Sequence, residues 1–447
     1  MSQEALLYYK KLGLKVESDF GAGTITAATE LLALREDGIV VGLAPQNIVP
    51  GRISGRASKK TSILGTMAPK YTLPAYGFPQ GVTMDLLKVA MGTVSSAEVA
   101  SFTVTNGSND SIDFTEDGGG EVTADLTAGT YVAGASSAVA GSLCALIKTQ
   151  MEAVNGASTY TVTYSPTTKK FTITKSSGVF VIKWATGTNT ATSARSVLGF
   201  TNADTSSAIA QTSDSTVASV WDHTFTLLDA ITYGLSAGIT TQVKLADGKV
   251  YDILDGVIDV LKLAFKPNQE LWIDAEIEAR KTADSVATLA SLTEESTSPF
   301  LYSQLAFTVG GVAHPLSALE VSISNNYKKD MFINAQYRHK FPRNGFREVK
   351  GTFELPIADS LAYTIYDAFV AGTQPALVAT FTGATSGIKT GFAYTLTATL
   401  SKVAYRLEAI VGGGGEAAPN APIPFEALDD GTNGEIKIVV RNSEGSI

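Results

Sequence analysis

The chain has 447 residues, 44% of them hydrophobic and only 17% charged, with a net charge of −9. That apolar content supports sizeable cores in two to four domains, and a low-charge surface rich in Thr, Ser, Ala and Gly suits a β-rich protein whose surface meets other protein. An acidic chain without a basic stripe argues against holding nucleic acid through phosphate contacts, and no run of about 18 apolar residues is present to form a membrane-spanning helix.

In chain order, residues 1–34 read as a short helix followed by a Gly/Thr/Ala segment, "GAGTITAATELLAL". The beginning, "MSQEALLYYKKLGLKVESDF", has no long apolar core or small-residue cleavage site, so no secretory leader is expected. The text from 38 to 80 is strand-like but broken by "PGRISGRASKKTS". This piece carries Arg52, Arg56, Lys59 and Lys60 and reads as a long exposed hairpin loop. "GTMAPKYTLP" then gives a strand. "GVTMDLLKVAMGT" gives a short helix with Val82, Leu86, Val89 and Ala90 on one face, Thr83 as N-cap and Gly92 as stop.

At about residue 97 the composition shifts to Ser, Thr, Ala, Gly and Asp and stays so to about 218. "SFTVTN" and "SIDFTE" read as strands. A helix around 137–154 places Val139, Leu143, Ile147, Met151 and Val154 on one stripe. Residues 159–184, "TYTVTYSPTTKKFTITKSSGVFVIKW", read as a three-stranded meander with one buried face, and "SARSVLGF" as a short closing helical turn. One helix matched to the apolar face of one sheet makes a complete α+β unit. Cys144, the one cysteine, falls inside the helical run and reads as a buried structural thiol.

Strand-like text resumes at Val220 with "VWDHTFTLLD", then "ITTQVKLADGKVYDI", with Asp247-Gly248 at a hairpin bend, and "VIDVLKLAFKPNQELWIDAEIEAR". The last third repeats the first in its order of features. A cationic hairpin, Gly-Thr, a strand ending Leu-Pro, a short amphipathic helix and Gly-Thr again occur in "KKTSILGTMAPKYTLPAYGFPQGVTMDLLKVAMGT". They recur in "GFREVKGTFELPIADSLAYTIYDAFVAGT". The second helix is expected near 359–370. The segment at 98–218 lies between the helix of the first repeat and the strands that should follow it, where a scaffold tolerates insertion best.

The residues give no catalytic constellation. His223, His314 and His339 lie in separate segments without metal-ligand spacing, and His223 reads as an ordinary strand histidine. "VGGGGEAAPNAP" reads as a loop, since no strand-to-helix switch follows it. The acidic cluster Asp110, Asp113, Glu116, Asp117 and Glu121 fits no EF-hand spacing and reads as a solvated hairpin tip. Tyr302, Tyr327, Tyr337 and Phe341 accompany Lys328, Lys329, Arg338, Lys340 and Arg343. That mixture suits a single-strand binding face or an exposed arm packing on a neighbouring subunit, and the acidic total favours the arm. No catalytic residue, metal ligand or cofactor is expected.

Two stretches, "SGRASKKTSILGTMAPKYTLP…GVTMDLLKVAMGT" and "VWDHTFTLLD…VKLADGKVYDILDGVIDVLKLAF…NGFREVKGTFELP", resemble the major tail tube proteins of tailed bacteriophages. The resemblance covers roughly 35–95 and 219–400. The middle segment, with its ending "WATGTNTATSARSVLGF", resembles modules that recur in phage tail proteins.

The resemblance implies a mainly β (α+β) fold: duplicated β-sandwich tail-tube domains that join into barrels, each with one short helix, plus a small α+β inserted domain. The expected organisation is 1–97 as the first part of tube domain 1, 98–218 as an outward-facing decoration, 219–295 as the remainder of domain 1, and 296–447 as domain 2. It also implies stacked rings forming a hollow tube in the virion tail, trimeric with pseudo-six-fold symmetry or else hexameric, assembled in the host cytoplasm. The implied partners are a tape-measure protein, tail terminator and tail-tip proteins, and DNA passing through the lumen without sequence-specific binding. Arg52, Arg56, Lys59, Lys60, Arg338, Lys340 and Arg343 are the expected contacts between subunits or rings. The competing readings are another tail component (sheath, terminator or tip), an adhesin with a carbohydrate-binding insert, and a polysaccharide depolymerase.

Overall fold

Successive side chains on an extended backbone point to opposite faces, so apolar alternation becomes strand along most of this chain. A computed structural model describes residues 9–17, 30–31, 47–48, 63–64, 66–227, 238–245, 249–284, 292, 295–332, 337–355, 367–384, 387–406 and 421–445. It opens with β1 (Tyr9–Val16), where a helix was expected. The short strands β2 (Glu30–Leu31), β3 (Asn47–Ile48) and β4 (Ile63–Leu64) precede β5 (Lys70–Tyr76), α1 (Val82–Met91) and β6 (Gly92–Val99). Next come β7 (Phe102–Val104), β8 (Ser111–Glu116), β9 (Val122–Asp125), β10 (Gly129–Tyr131) and α2 (Leu143–Val154). They are followed by β11 (Tyr160–Ser165), β12 (Lys170–Lys175), β13 (Phe180–Ile182), α3 (Arg195–Leu198) and β14 (Ala210–Thr212). The chain continues through β15 (Val220–Leu227), β16 (Ile239–Leu245), β17 (Val250–Phe265), β18 (Trp272–Glu278), β19 (Lys281–Asp284), β20 (Leu305–Val309) and β21 (Val312–Ala313). The remaining strands are β22 (Ala318–Ser324), β23 (Glu348–Leu355), β24 (Leu377–Thr382), β25 (Thr395–Leu400), β26 (Lys402–Tyr405), β27 (Ala421–Leu428) and β28 (Lys437–Asn442).

The described residues fall into two compact units. The first lies within 1–95, 224–383 and 395–440, and the second within 96–223, 384–394 and 441–447. The second unit thus takes in the range expected for the insert together with two short segments from far along the chain.

In the first unit the strand path β2-β1-β16-β17-β22-β23-β27-β26 forms one large antiparallel sheet, with β18 and β19 also on β17 and β5 on β18. The first half of β17 pairs with β16 and β19, the second half with β18 and β22. The strand changes partners at Asp255-Gly256, where Asp255 has φ 52° and a Cβ on Gly256 would meet the Ile239 carbonyl at 2.9 Å. Glycine is needed there because another backbone approaches so closely. A seven-stranded sheet, β21-β20-β24-β25-β28-β15-β6, supplies the opposing layer. The rings of Phe265 and Phe381 lie 4.8 Å apart and those of Phe307 and Phe353 5.5 Å apart, joining the two sheets as a β-sandwich.

One pairing pattern occurs twice. β5 pairs with β18, β18 with β17, and β6 with β15; β23 pairs with β27, β27 with β26, and β24 with β25. α1 joins β5 to β6. Residues 367–370, just before β24, are helical, and the rest of the second expected helix lies outside the described residues. The bend expected at Asp247-Gly248 lies outside them as well. α1 ends at Gly92 in the left-handed conformation (φ 85°), as the sequence suggested. Its cap is Gly81, not Thr83. Thr83 is buried and its hydroxyl accepts a hydrogen bond from the Phe78 amide (2.8 Å).

The second unit has its own core, centred on Phe102, Phe114, Tyr160, Tyr164, Phe171, Phe180 and Trp184, all buried. α2 begins at Ser142, whose side chain caps the Ala145 amide, and buries Leu143, Cys144, Ile147 and Met151. Val139 and Val154, placed on the same stripe by spacing, are exposed. The expected meander is only partly realised. β11 and β12 form the hairpin, but the third strand, β13, leaves to pair with β8, and β14 takes its place beside β12. Alternation specifies a strand and its buried face without specifying the partner.

Candidate functional surfaces

The solvent face of the large sheet is assembled by register. Trp272, Ala264, Glu320, Thr352 and Pro424 lie across it in one row, and Asp274, Lys262, Ser322, Lys350, Glu426 and Ala404 in the next. A third row holds Thr72, Glu276, Val260, Ser324 and Glu348. The intervening residues (Leu261, Leu263, Ile273, Val321, Ile323, Phe353 and Phe425 among them) point inward and are buried.

The cations of this face reach diagonal or next-but-one neighbours. Lys70 donates to Glu276 (3.1 Å), Lys262 meets Glu320 (2.7 Å), Lys350 meets Glu348 (2.5 Å), and Arg406 pairs with Glu426. Exposed pairs of this kind contribute only about 0–1 kcal/mol each to stability, so their effect is on the potential of the surface and not on the fold. The outer positions of β24 and β25 are instead Val378, Thr380, Thr382, Thr395, Thr397 and Thr399, without a charge.

The β22–β23 connection, 325–347, is the described part of the cationic hairpins. Its base is fixed from inside: Asn325 Nδ2 donates to the carbonyls of Ala90 (3.0 Å) and Ile258 (2.9 Å), and the Tyr327 amide to Asp259 (2.9 Å). Tyr327 and Phe341 bury themselves with Val257, which removes them from any base-stacking role. Lys329 pairs with Asp259 (2.6 Å). Arg338 is buried against Glu278 (2.7 Å), donates to the Ala279 carbonyl and lies over the Phe341 ring. It therefore acts within the protomer, while Lys340 and Arg343 are exposed and Phe346 is 94% exposed. Arg52, Arg56, Lys59 and Lys60 lie outside the described residues.

The groups weighed for chemistry have structural roles. His223 is fully buried. Nε2 stands 2.9 Å from both Asn442 Oδ1 and the Glu444 carbonyl, which places its proton there, and Nδ1 accepts from the Ser96 hydroxyl (2.8 Å). Burial holds its pKa below the ordinary value. His314 is half-buried and His339 exposed. Burial pushes the Cys144 thiol up to about 12, with the Glu98 charge adding to it, so the thiol is inert and donates to the Gly134 carbonyl. Glu98 accepts from the amides of Ala133 (2.8 Å) and Gly134 (3.0 Å), and Lys389 sits 3.4 Å above the Phe102 ring centre. Burial lowers Lys389 to about 8, partly offset by Glu98.

The acidic cluster is not a solvated tip. Asp110 and Asp113 are buried. Asp113 accepts from Thr123 (2.6 Å) and from the Asn189 amide (2.5 Å). Glu116 and Asp117 clasp the buried Lys175 (3.2 and 2.5 Å), and Glu121 accepts from Thr188. Burial alone would raise Glu116, but bonds from Ser158, Tyr160 and Lys175 outweigh it and hold it low. Among the described residues, no group of three or more His, Cys, Asp and Glu is placed to hold a metal, and no helix is long and apolar enough to cross a membrane.

The model of one protein family, described as phage tail tube protein, matches residues 10–427. No curated protein matches the chain.

Proposed function

The chain belongs to the phage tail tube protein family and is a structural component of the virion tail, and from that premise we propose that it polymerises as stacked rings into the hollow tube through which DNA leaves the particle. The twice-occurring pairing pattern carries this reading further. Each occurrence is a strand, a helix, a strand pair and a returning hairpin, which supports two tube domains per chain. Three chains then close a ring of pseudo-six-fold symmetry. Among the described residues, β5 pairs only with β18 and β26 only with β27, so the large sheet ends in two open edges. Open edges are templates for pairing with another chain, and in a ring they become the joint that continues one barrel across protomers.

The second unit hangs on the β6-to-β15 connection, whose counterpart in the second pattern is the short stretch 383–394. That position supports an inserted decoration facing away from the tube axis. Lys340, Arg343 and the undescribed Arg52, Arg56, Lys59 and Lys60 are proposed to dock on acidic surface of the adjacent subunit or ring. A tape-measure protein fills the unfired lumen, terminator and tip proteins cap the ends, and assembly occurs in the host cytoplasm. Cryo-electron microscopy of the purified, polymerised protein tests the reading. Uniform hollow tubes with three protomers per layer are expected. Six per layer would remove the duplication, and only small monodisperse particles would remove the tube.

A further inference from the structure

The two sandwich layers differ in what they offer a neighbour. Threonines and Val378 on β24 and β25 can be buried against another subunit at little cost, because no charge has to be dehydrated. The large sheet carries Lys70, Lys262, Lys350, Arg406, Asp274, Glu276, Glu320, Glu348, Glu354 and Glu426 on one face, which must stay wet. A wet face of a hollow tube looks either outward or into the lumen.

The ion pairs discriminate between these. Each of the four cations has a carboxylate of its own, from 3.1 Å down to 2.5 Å for the three lysines. At a Debye length of about 8 Å, a polyanion approaching the sheet meets closed dipoles instead of a row of free positive charges. Resting on the tube reading above, we infer that this face is the lumen wall and that Glu276, Glu320, Glu348 and Glu426 mask its cations so that double-stranded DNA passes without binding. Net negative charge elsewhere on the chain would repel DNA at a distance. Masking at the wall removes the adhesive contacts that remain at short range, where a duplex touches the surface.

Two measurements test this. The first uses the unassembled full chain, whose large sheet is open to solvent, and a short DNA duplex as probe. The wild-type chain should not bind. The variant Glu276→Gln/Glu320→Gln/Glu348→Gln/Glu426→Gln should gain at least about tenfold in affinity at low salt. Four freed cations at about −0.9 each predict a log–log salt slope near −3.6, so affinity falls on the order of a hundredfold between about 50 and 200 mM salt. A control with the same net charge, Glu121→Gln/Asp125→Asn/Asp367→Asn/Asp429→Asn, alters acids away from the face and should not bind. Equal binding by the control, no gain in the folded quadruple variant, or binding by the wild type would each overturn the masking.

The second measurement places the wall. Cys144 is buried, so Thr352→Cys provides the one reactive thiol, on the exposed face of β23. Unassembled protein should react with both a small maleimide and a bulky polyethylene-glycol maleimide, whereas assembled tubes should exclude the bulky reagent. Full reaction of tubes with the bulky reagent would overturn the wall assignment while the tube stands. Failure of the wild-type chain to form tubes at all would strike the functional reading itself.

Discussion

Gly351→Ala is the most direct test of how the large sheet is packed. Gly351 lies on β23 between Lys350 and Thr352, faces inward, and stands opposite Val321 on one side and Phe425 on the other. An added Cβ would fall 2.2 Å from the Glu320 carbonyl oxygen and 2.4 Å from Phe425 Cζ. Both approaches are more than about 1 Å inside van der Waals contact. The Phe425 ring cannot swing away, since it is 1% exposed and packs 6.0 Å from Phe353. Overpacking of this kind costs about 1–3 kcal/mol, and the reduced freedom of the unfolded chain returns about 0.4–1 kcal/mol. The net loss is roughly 1–2 kcal/mol, or a melting temperature lower by about 2–8 °C. Thermal unfolding followed by near-ultraviolet circular dichroism measures it. Phe425→Leu in the same chain should recover only part of the loss, because the carbonyl clash belongs to the neighbouring backbone and remains. A Gly351→Ala protein melting at or above wild type would refute this account of the β22–β23–β27 packing.

Arg338→Met leaves the buried Glu278 with only its longer contacts to Lys70 and Lys329, and should cost on the order of 3 kcal/mol in the protomer. Lys340→Glu/Arg343→Glu with Phe346→Ser should instead leave the melting temperature unchanged and slow polymerisation measured by light scattering; a destabilised protomer with normal assembly would reverse the two assignments. Burial holds the His223 pKa below the unfolded value of about 6.5, so the unfolded chain binds more protons as pH falls. The stability from the neutral ring is complete above that pH and declines below it, and His223→Gln should flatten the melting temperature between about pH 7 and pH 5. Replacing 98–218 by a short Gly/Ser linker should leave a soluble, ring-forming protein, improved when 384–394 is shortened with it because Lys389 loses Phe102; insolubility of both versions would count against an autonomous insert.

What the sequence determined by itself is local. Alternation in "TYTVTY", "KKFTITK", "ALEVSIS" and "EVKGTFEL" sets both strand and buried face, because the two-residue period is a property of the extended backbone. Val82, Leu86, Val89 and Gly92 mark α1 and its end for the same reason: spacing and a left-handed stop are encoded within a few residues. The mainly β class and the compositional shift near 97 were legible as well. "YKKLGLKV" was not, since its period is ambiguous and its strand state depends on pairing with β16, more than two hundred residues away. The departure of Phe180–Ile182 to β8, the recruitment of 384–394 and 441–447 into the second unit, and the cross-strand pairing of Lys262 with Glu320 were equally out of reach. Each depends on which distant strand wins the competition to cover an apolar face. Only the packed tertiary structure decides that, because closure of a long loop and complementarity of the whole core are settled together and leave no trace in any one segment.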